Sequence, residues 1–304
     1  PRRWWIAPAI LSAVMLGLAG AALLPWREGR QTGSPDGASP AASFSLTTRK
    51  LAVPEGIWPF SNPSENGRFV AGMETATGDA VIVDLATGTH RSLRMGRGDF
   101  SDGYASLGSL SPDGTTVAVD WHDDRGGSLR LARIDNSRPR VLIDAPGDVW
   151  VHEWSRDGAF ILTLITKPGR PSVIALVAAS DGGVREIRQI GSIVPDRMTL
   201  SPDGRYIAYD ALVQSGSSDR DIYILDAHTG NQWALEPSPS EETSPLWSPD
   251  GRSLVFLSDR NRNPSLWVTP IEQGRPKSPP SLLKDDVGRV WLHGFTAAGG
   301  LHYQ

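Results

Sequence analysis

The chain has 304 residues, no cysteine and a formal net charge of −4, with 30 lysine and arginine residues against 34 aspartate and glutamate residues. This mild acidity, without any stretch rich in lysine or arginine, argues against a nucleic-acid-binding surface. The lack of cysteine excludes disulfides and thiol catalysis, and the chain is long enough to bury a sizeable hydrophobic core.

The first predicted element is an apolar segment near the amino terminus. Ile6–Leu24 contains no charged residue and is flanked by tryptophans, which predicts a transmembrane helix over residues 6–26, because about 20 apolar residues span a bilayer. A signal peptide with a cut near Ala19–Ala21 is the alternative. Because the chain begins at Pro1 without a methionine, we favour the membrane helix, with residues 1–5 as the juxtamembrane end of a missing upstream region.

A flexible linker is predicted over residues 27–43. Most of it consists of Gly, Ser, Pro, Ala and a few polar residues, which bury too little apolar surface to offset the entropy of ordering. A large β domain after a single membrane span usually lies on the extracytoplasmic side. We therefore expect a single-pass protein of the inner (cytoplasmic) membrane, with residues 44–304 in the periplasm.

A turn of the type Ser-Pro-Asp-Gly recurs through residues 44–304, and each copy precedes a short run of strand-forming residues. Proline and aspartate favour tight turns, and glycine supplies the positive φ that they need. The copies are SENGRFVAG, SPDGTTVAV, SRDGAFILT, SPDGRYIAY, SPDGRSLVF and the weaker TAAGGLHYQ. Their turn glycines lie 44 to 48 residues apart and are Gly67, Gly114, Gly158, Gly204, Gly251 and Gly299.

This spacing predicts a β-propeller, since one four-stranded blade needs about 40–50 residues. Each unit contains strand A, the Asp-Gly turn, strand B, a variable loop, strand C, a Thr-Gly-type turn and strand D. We predict an all-β fold with five complete antiparallel blades over residues 57–287 and a partial sixth. Phe44–Leu51 could supply a closing strand, but strand C of the sixth blade is expected to be missing. An unpaired edge beside the first blade would follow, and we expect the natural protein to continue past Gln304.

The repeats SPDGRYIAYDA…DIYILDAHTG and WSPDGRSLVFLSDRN…PSLWVTPIEQG resemble those of the TolB-type β-propellers, which are related to the WD-repeat propellers. The resemblance covers residues 57–304 and is strongest in the units that begin at Ser201 and Ser248. It implies the fold but does not decide the function, because such blades occur in translocation proteins, sensor ectodomains and peptidases.

No catalytic motif, cofactor-binding pattern or metal-ligand spacing is found, so we predict neither enzyme activity nor a cofactor for this chain and leave the parent protein open. The run Asp120–Arg125 could supply ligands to a divalent cation, but a solvated loop between strands B and C is favoured. Solvated or turn positions are predicted for His90, His122, His152, His228, His293 and His302. Packing between blades, in preference to a ligand-stacking cage, is predicted for Trp58, Trp150, Trp154, Trp247 and Trp291.

The B–C and D–A loops are longer and more charged than the tight A–B and C–D turns. In a propeller these loops emerge together around one mouth of the central channel, which we call the loop face; the opposite side is the turn face. Because binding residues concentrate on loops held by a rigid scaffold, we expect a protein or small ligand at the loop face. The candidate contacts are Arg97, Asp99, Asp123, Arg125, Arg170, Arg220, Asp259 and Arg260.

Three functions fit this organisation. The favoured one is a non-enzymatic binding or sensory module, tethered by the helix to a missing amino-terminal domain. The resemblance also allows the propeller of a prolyl-oligopeptidase-like peptidase, whose hydrolase domain would follow Gln304. The third is an envelope assembly or translocation protein similar to TolB, although TolB-like proteins are soluble and periplasmic.

Overall fold

The computed structural model describes residues 47–50, 52–96, 99–135, 138–145, 147–191, 194–213, 219–236, 238–296 and 299–304. Over these ranges the chain forms 24 β-strands in six sheets. A search of the same ranges finds no helix with the length and apolar character needed to cross a membrane. The predicted transmembrane helix and linker, together with residues 1–5, lie outside the described residues.

Five of the sheets are antiparallel blades with their strands in chain order, as predicted. The first comprises β2 (Ile57–Pro59), β3 (Phe69–Glu74), β4 (Ala80–Asp84) and β5 (Thr89–Ser92). The second comprises β6 (Tyr104–Leu110), β7 (Thr116–Asp123), β8 (Gly126–Arg133) and β9 (Arg140–Ala145). The third comprises β10 (Val149–Trp154), β11 (Phe160–Lys167), β12 (Arg170–Ala178) and β13 (Val184–Gly191). The fourth comprises β14 (Met198–Leu200), β15 (Tyr206–Leu212), β16 (Arg220–Asp226) and β17 (Gln232–Ala234).

The fifth blade has a divided outer strand. It comprises β18 (Glu242–Trp247), β19 (Ser253–Ser258), β20 (Ser265–Glu272), β21 (Arg275–Pro276) and β22 (Ser281–Lys284). Both β21 and β22 pair with β20, so together they occupy the position of strand D.

The sixth sheet has three strands, which are β23 (Leu292–Phe295), β24 (Gly300–Tyr303) and β1 (Thr47–Lys50). Strand β1 runs parallel to β24, with Thr47 opposite Gly300. It therefore takes the place beside strand B that strand C has in the other blades. The predicted contribution of the Phe44–Leu51 segment is confirmed. The predicted vacancy at strand C is wrong, because a strand edge can be paired by a parallel as well as an antiparallel neighbour.

The turn between strands A and B has the same construction in each blade. In the fourth blade, Ser201 Oγ donates to the Asp203 carboxylate and accepts a hydrogen bond from Tyr206 N at 2.8 Å. Gly204 has a φ of 69°, and the other five predicted turn glycines also have positive φ. The repeated motif thus has a local cause, since it closes one hairpin in each blade.

The hydrophobic core lies between neighbouring blades. Between the second and third blades, for example, Ala118 and Leu129 pack with Val149, Val151 and Ile161, all of them fully or almost fully buried. Each large side chain of this kind stabilises the fold by roughly 1.5–3 kcal/mol relative to exposure. This packing holds the A strands around the central channel and fixes the loops at its mouth.

Candidate functional site

An arc of aromatic side chains borders the loop face on the first, second, third and sixth blades. Trp58, Tyr104 and Trp150 occupy the first or second position of strand A in three successive blades and are partly exposed. Trp291 directly precedes strand A of the sixth blade and keeps 49% of its surface exposed. The rings of Trp58 and Trp291 meet edge to face, with centroids 6.3 Å apart, and thereby join the first and sixth blades.

His122 lies inside this arc between two rings. Its imidazole stacks on Tyr104 at 5.4 Å and contacts Trp150 at 4.8 Å between centroids. Its ring nitrogens lie 3.6 Å from Asp120 Oδ1 and 3.5 Å from Asp148 Oδ1. Burial alone would lower the pKa of His122, but the two carboxylates raise it to about 9. The two carboxylates thus favour the protonated form of this imidazole within the arc.

Only the end of the Asp120–Arg125 run, at Asp124 and Arg125, forms the predicted solvated loop. Asp120 and His122 lie in strand β7 and are buried. Asp120 Oδ1 accepts hydrogen bonds from the amides of Ser106 and Leu107, and its Oδ2 accepts one from Val151 N in the next blade. The carboxylate thus joins two blades. No group of three or more His, Asp or Glu side chains within the described ranges could hold a metal ion.

A polar cleft of about 620 Å³ completes the mouth between the fourth, fifth and sixth blades. Its carboxylates are those of Asp196, Asp210, Glu241 and Asp259, and the exposed Arg262 and Arg289 also line it together with Trp291. We call this the loop-face cleft. The mouth of the channel is therefore aromatic along one arc and rich in carboxylates along the other.

Asp210 is the buried anchor of the cleft. Its Oδ1 accepts hydrogen bonds from the amides of Asp196 and Arg197 and from Arg220 Nη2 at 3.0 Å, and its Oδ2 accepts one from Ser244 N at 3.0 Å. The side chain of Asp196 is 57% exposed and lies 3.4 Å from Arg220 Nη1. Partial burial and the charge of Asp210 raise the pKa of Asp196 to about 6, although Arg220 opposes this.

The predicted contact residues fall into separate groups. Arg97 lies outside the described residues. Asp99 accepts a hydrogen bond from Ser101 N, and Asp123 pairs with the exposed Arg125 at 2.9 Å. Arg170, the first residue of β12, is exposed on the third blade. None of Asp99, Asp123, Arg125 and Arg170 lines the loop-face cleft.

Of the other three predicted contacts, only Asp259 lines the cleft and is exposed. Arg220 is only 8% exposed and holds Asp210, so it supports the cleft wall and presents little surface to a ligand. Asp259 Oδ1 accepts a hydrogen bond from Glu241 N at 3.0 Å and stabilises the cleft wall. Arg260 bonds the fully buried Glu242 and lies over Trp267 at 4.8 Å. Burial raises the pKa of Glu242 to about 7, against the opposing charge of Arg260.

A partly buried chain of hydrogen bonds that the sequence did not reveal joins several blades. Arg197 Nη2 donates to Asn62 Oδ1 at 2.8 Å, and Asn62 Nδ2 donates to Glu153 Oε1 at 3.0 Å. Arg197 also donates to the carbonyls of Leu292 and His293. Burial lowers the pKa of Arg197 and raises that of Glu153. Residues from the first, third, fourth and sixth blades are thus joined at one point.

The turn face contains a smaller depression of about 160 Å³, lined largely by the Ser-Pro turns. Trp154 and Trp247 border it and are buried, as the prediction of interblade packing requires. Trp154 Nε1 donates to Ser109 O of the preceding blade at 2.9 Å. Trp291 of the loop face also packs between blades, through Trp58, but its loop position leaves 49% of its surface exposed.

The prediction of solvated or turn positions holds for only some of the six histidines. His90 and His228 are exposed. The prediction of solvated positions is wrong for the others, because their strands face blade interfaces or the channel. Burial and the charge of Arg197 lower the pKa of His152 to about 3 and that of His293 to about 4. His122, His293 and His302 are buried, and His152 is partly buried.

No family model matches the chain. It is 31% identical over 149 residues to the Tol-Pal system protein TolB of Bordetella pertussis, an alignment that covers 48% of this chain and 32% of that protein. The chain thus spans about a third of the length of that curated relative.

Solved structures show the same architecture. A putative TolB from Agrobacterium tumefaciens superposes with a TM-score of 0.60 and 17% identity, covering 81% of this chain and 88% of that one. A prolyl endopeptidase structure gives a TM-score of 0.53 and 16% identity, covering 80% and 38%. At these identities the structural likeness concerns the fold alone. Of the two proteins, TolB is the one that this chain also matches in sequence. The described residues therefore form a β-propeller that resembles TolB in fold and, over 149 residues of the chain, in sequence.

Proposed function

We propose that this propeller is a non-enzymatic binding module whose loop face takes a protein ligand. The observation that carries the proposal is the distribution of exposed apolar side chains. Seven large hydrophobic side chains are exposed among the described residues, and four of them lie on the loop face. These four are Phe100, Val194, Val213 and Trp291; the others, Val141, Val184 and Leu282, lie in the outermost strands β9, β13 and β22. Exposed apolar groups gathered on one face favour a protein interface.

The relatives support a protein-binding role. The matched protein is named for the Tol-Pal system, so a TolB-like assembly function is the second candidate. The similarity to a prolyl endopeptidase concerns the fold alone, and a hydrolase domain after Gln304 in the parent protein would favour that third function. We further propose, from the apolar segment Ile6–Leu24, that the propeller is tethered to the membrane and lies on its extracytoplasmic side.

The proposal is tested by removing the apolar groups from one surface at a time. The full chain is produced in its source cells with Phe100→Ser and Val213→Ser together, and complexes are resolved by native electrophoresis. We expect the chain to run in a complex that the double variant loses. The control is Val141→Ser with Leu282→Ser, which changes equally exposed groups on the outer strands and should retain the complex. Retention in the loop-face variant, or equal loss in both, would contradict the proposal.

A further inference from the structure

The loop-face cleft and the aromatic arc meet at Trp291, which belongs to both. Half of its surface is exposed, and its contact with Trp58 fixes the ring from one edge. Aromatic rings attract cations through their negatively charged faces, and carboxylates attract them by charge. The exposed ring of Trp291 and the carboxylates of the cleft therefore favour the same kind of group, although they differ in chemistry.

We infer that the loop-face cleft binds a lysine or arginine side chain of an extended peptide segment, held between the ring of Trp291 and the carboxylates of Asp196 and Glu241. The inference rests on the proposed function and names the chemistry of its ligand. The cleft, at about 620 Å³, has room for a side chain of this length together with neighbouring backbone. The apolar groups Val194 and Val213 on nearby loops would contact the rest of the segment.

The charges around the cleft support a cationic ligand over an anionic one. Asp210 is already matched by Arg220, whereas Asp196 shares that guanidinium at the longer distance of 3.4 Å. Glu241 is exposed and its charge opposes ionisation of Asp196. A cation between these two carboxylates would relieve their repulsion, and an anion would increase it.

Two arginines of the cleft, Arg262 and Arg289, compete with such a ligand. Both are exposed on loops at the rim, so an incoming guanidinium or ammonium can displace them into solvent. Their presence implies a weak subsite that contributes selectivity for charge, while the apolar contacts contribute most of the affinity.

The test uses the full chain labelled with 5-fluorotryptophan and ¹⁹F NMR, with the Trp291 resonance assigned by Trp291→Phe. The probes are the peptides acetyl-Gly-Ser-Arg-Ser-Gly-amide and its counterpart with Glu in place of Arg. We expect the Arg peptide to shift the Trp291 resonance saturably and the Glu peptide to leave it unchanged. Glu241→Gln should weaken binding of the Arg peptide by about threefold, and the double variant Asp196→Asn with Glu241→Gln should weaken it by about fivefold.

The matched control is Asp124→Asn, which removes an exposed carboxylate from the second blade of the same face and should leave the response unchanged. Equal shifts with both peptides, or no saturable shift with the Arg peptide, would overturn the inference. An unaltered response in Glu241→Gln would do the same, and that exposed position does not threaten folding. The peptides could give no saturable shift while the variant Phe100→Ser with Val213→Ser still loses the native complex. In that case the proposed function stands and only the cationic subsite is wrong.

Discussion

Removing the carboxylate of Asp210 should destabilise the propeller more than any exposed substitution. This side chain is buried completely, and its two oxygens accept hydrogen bonds from three backbone amides, those of Asp196, Arg197 and Ser244. It is also the closest carboxylate to the buried guanidinium of Arg220. Because Ser244 belongs to the fifth blade, the same carboxylate joins two blades.

The size of the effect follows from the groups that Asp210→Ala would leave behind. An unsatisfied buried polar group costs about 1–3 kcal/mol, and breaking a buried ion pair costs roughly 3–5 kcal/mol. Water entering from the adjacent cleft would recover part of this, so we expect a loss of about 4 kcal/mol. At roughly 2–4 °C per kcal/mol for a domain of this size, the melting temperature should fall by about 8–16 °C.

Thermal and urea unfolding of the full chain, followed by circular dichroism and tryptophan fluorescence, measures this loss. Asp120→Ala tests the equivalent junction between the second and third blades and should behave similarly, since Asp120 accepts the Val151 amide of the next blade. Asp124→Ala, on an exposed loop, should change stability by less than about 0.5 kcal/mol. If Asp210→Ala unfolds within about 1 kcal/mol of the unmodified chain, the interblade role of this carboxylate is refuted.

Three further predictions concern the turns, the pH dependence and the amino terminus. Gly204→Val should lower stability by roughly 1–3 kcal/mol, because Gly204 has a φ of 69° and β-branched residues are strained there; an unchanged urea midpoint would contradict this. Glu242 has a folded-state pKa of about 7, above its ordinary 4.5, so the folded state binds more protons than the unfolded state between these pH values. The stability that protonated Glu242 contributes is therefore lost as pH rises from about 4.5 to 7. Urea unfolding at several pH values should show this loss in the unmodified chain and not in Glu242→Gln; parallel curves would refute it. Deleting residues 1–43 should move the protein from the membrane to the soluble fraction in a folded state, and aggregation of the shortened chain alone would argue against a separate tether.

The repeat made the blades predictable because each hairpin is closed within its own unit. Ser201, Asp203 and Gly204 lie within four positions of one another, so their turn could be recognised from sequence. Distant pairs leave no such pattern. Arg197 meets Asn62 across 135 positions, and its role depends on the ring bringing distant repeats together.

Strand ends were harder to predict than turns. The polar run at Asp120 looked like a loop, yet strand β7 continues to Asp123 because its neighbours satisfy the buried carboxylate. The parallel pairing of β1 with β24 was also missed, since a short strand has no sequence feature that fixes its direction. At the candidate site, the sequence indicated which loops share a face but not which charged side chains stay exposed, as the burial of Arg220 illustrates.

The most direct test of the loop face compares two valines at opposite ends of the same strand, one at its start and one just beyond its end. Val194 follows β13 on the loop face and Val184 begins that strand, and their exposures are 45% and 46%. A photoreactive benzoylphenylalanine is placed at each position of the full chain in its source cells, and crosslinked adducts are quantified after irradiation. The account predicts a discrete protein adduct from position 194 and none above background from position 184. Equal yields at both positions, or an adduct from position 184 alone, would contradict the claim that the loop face is the binding face.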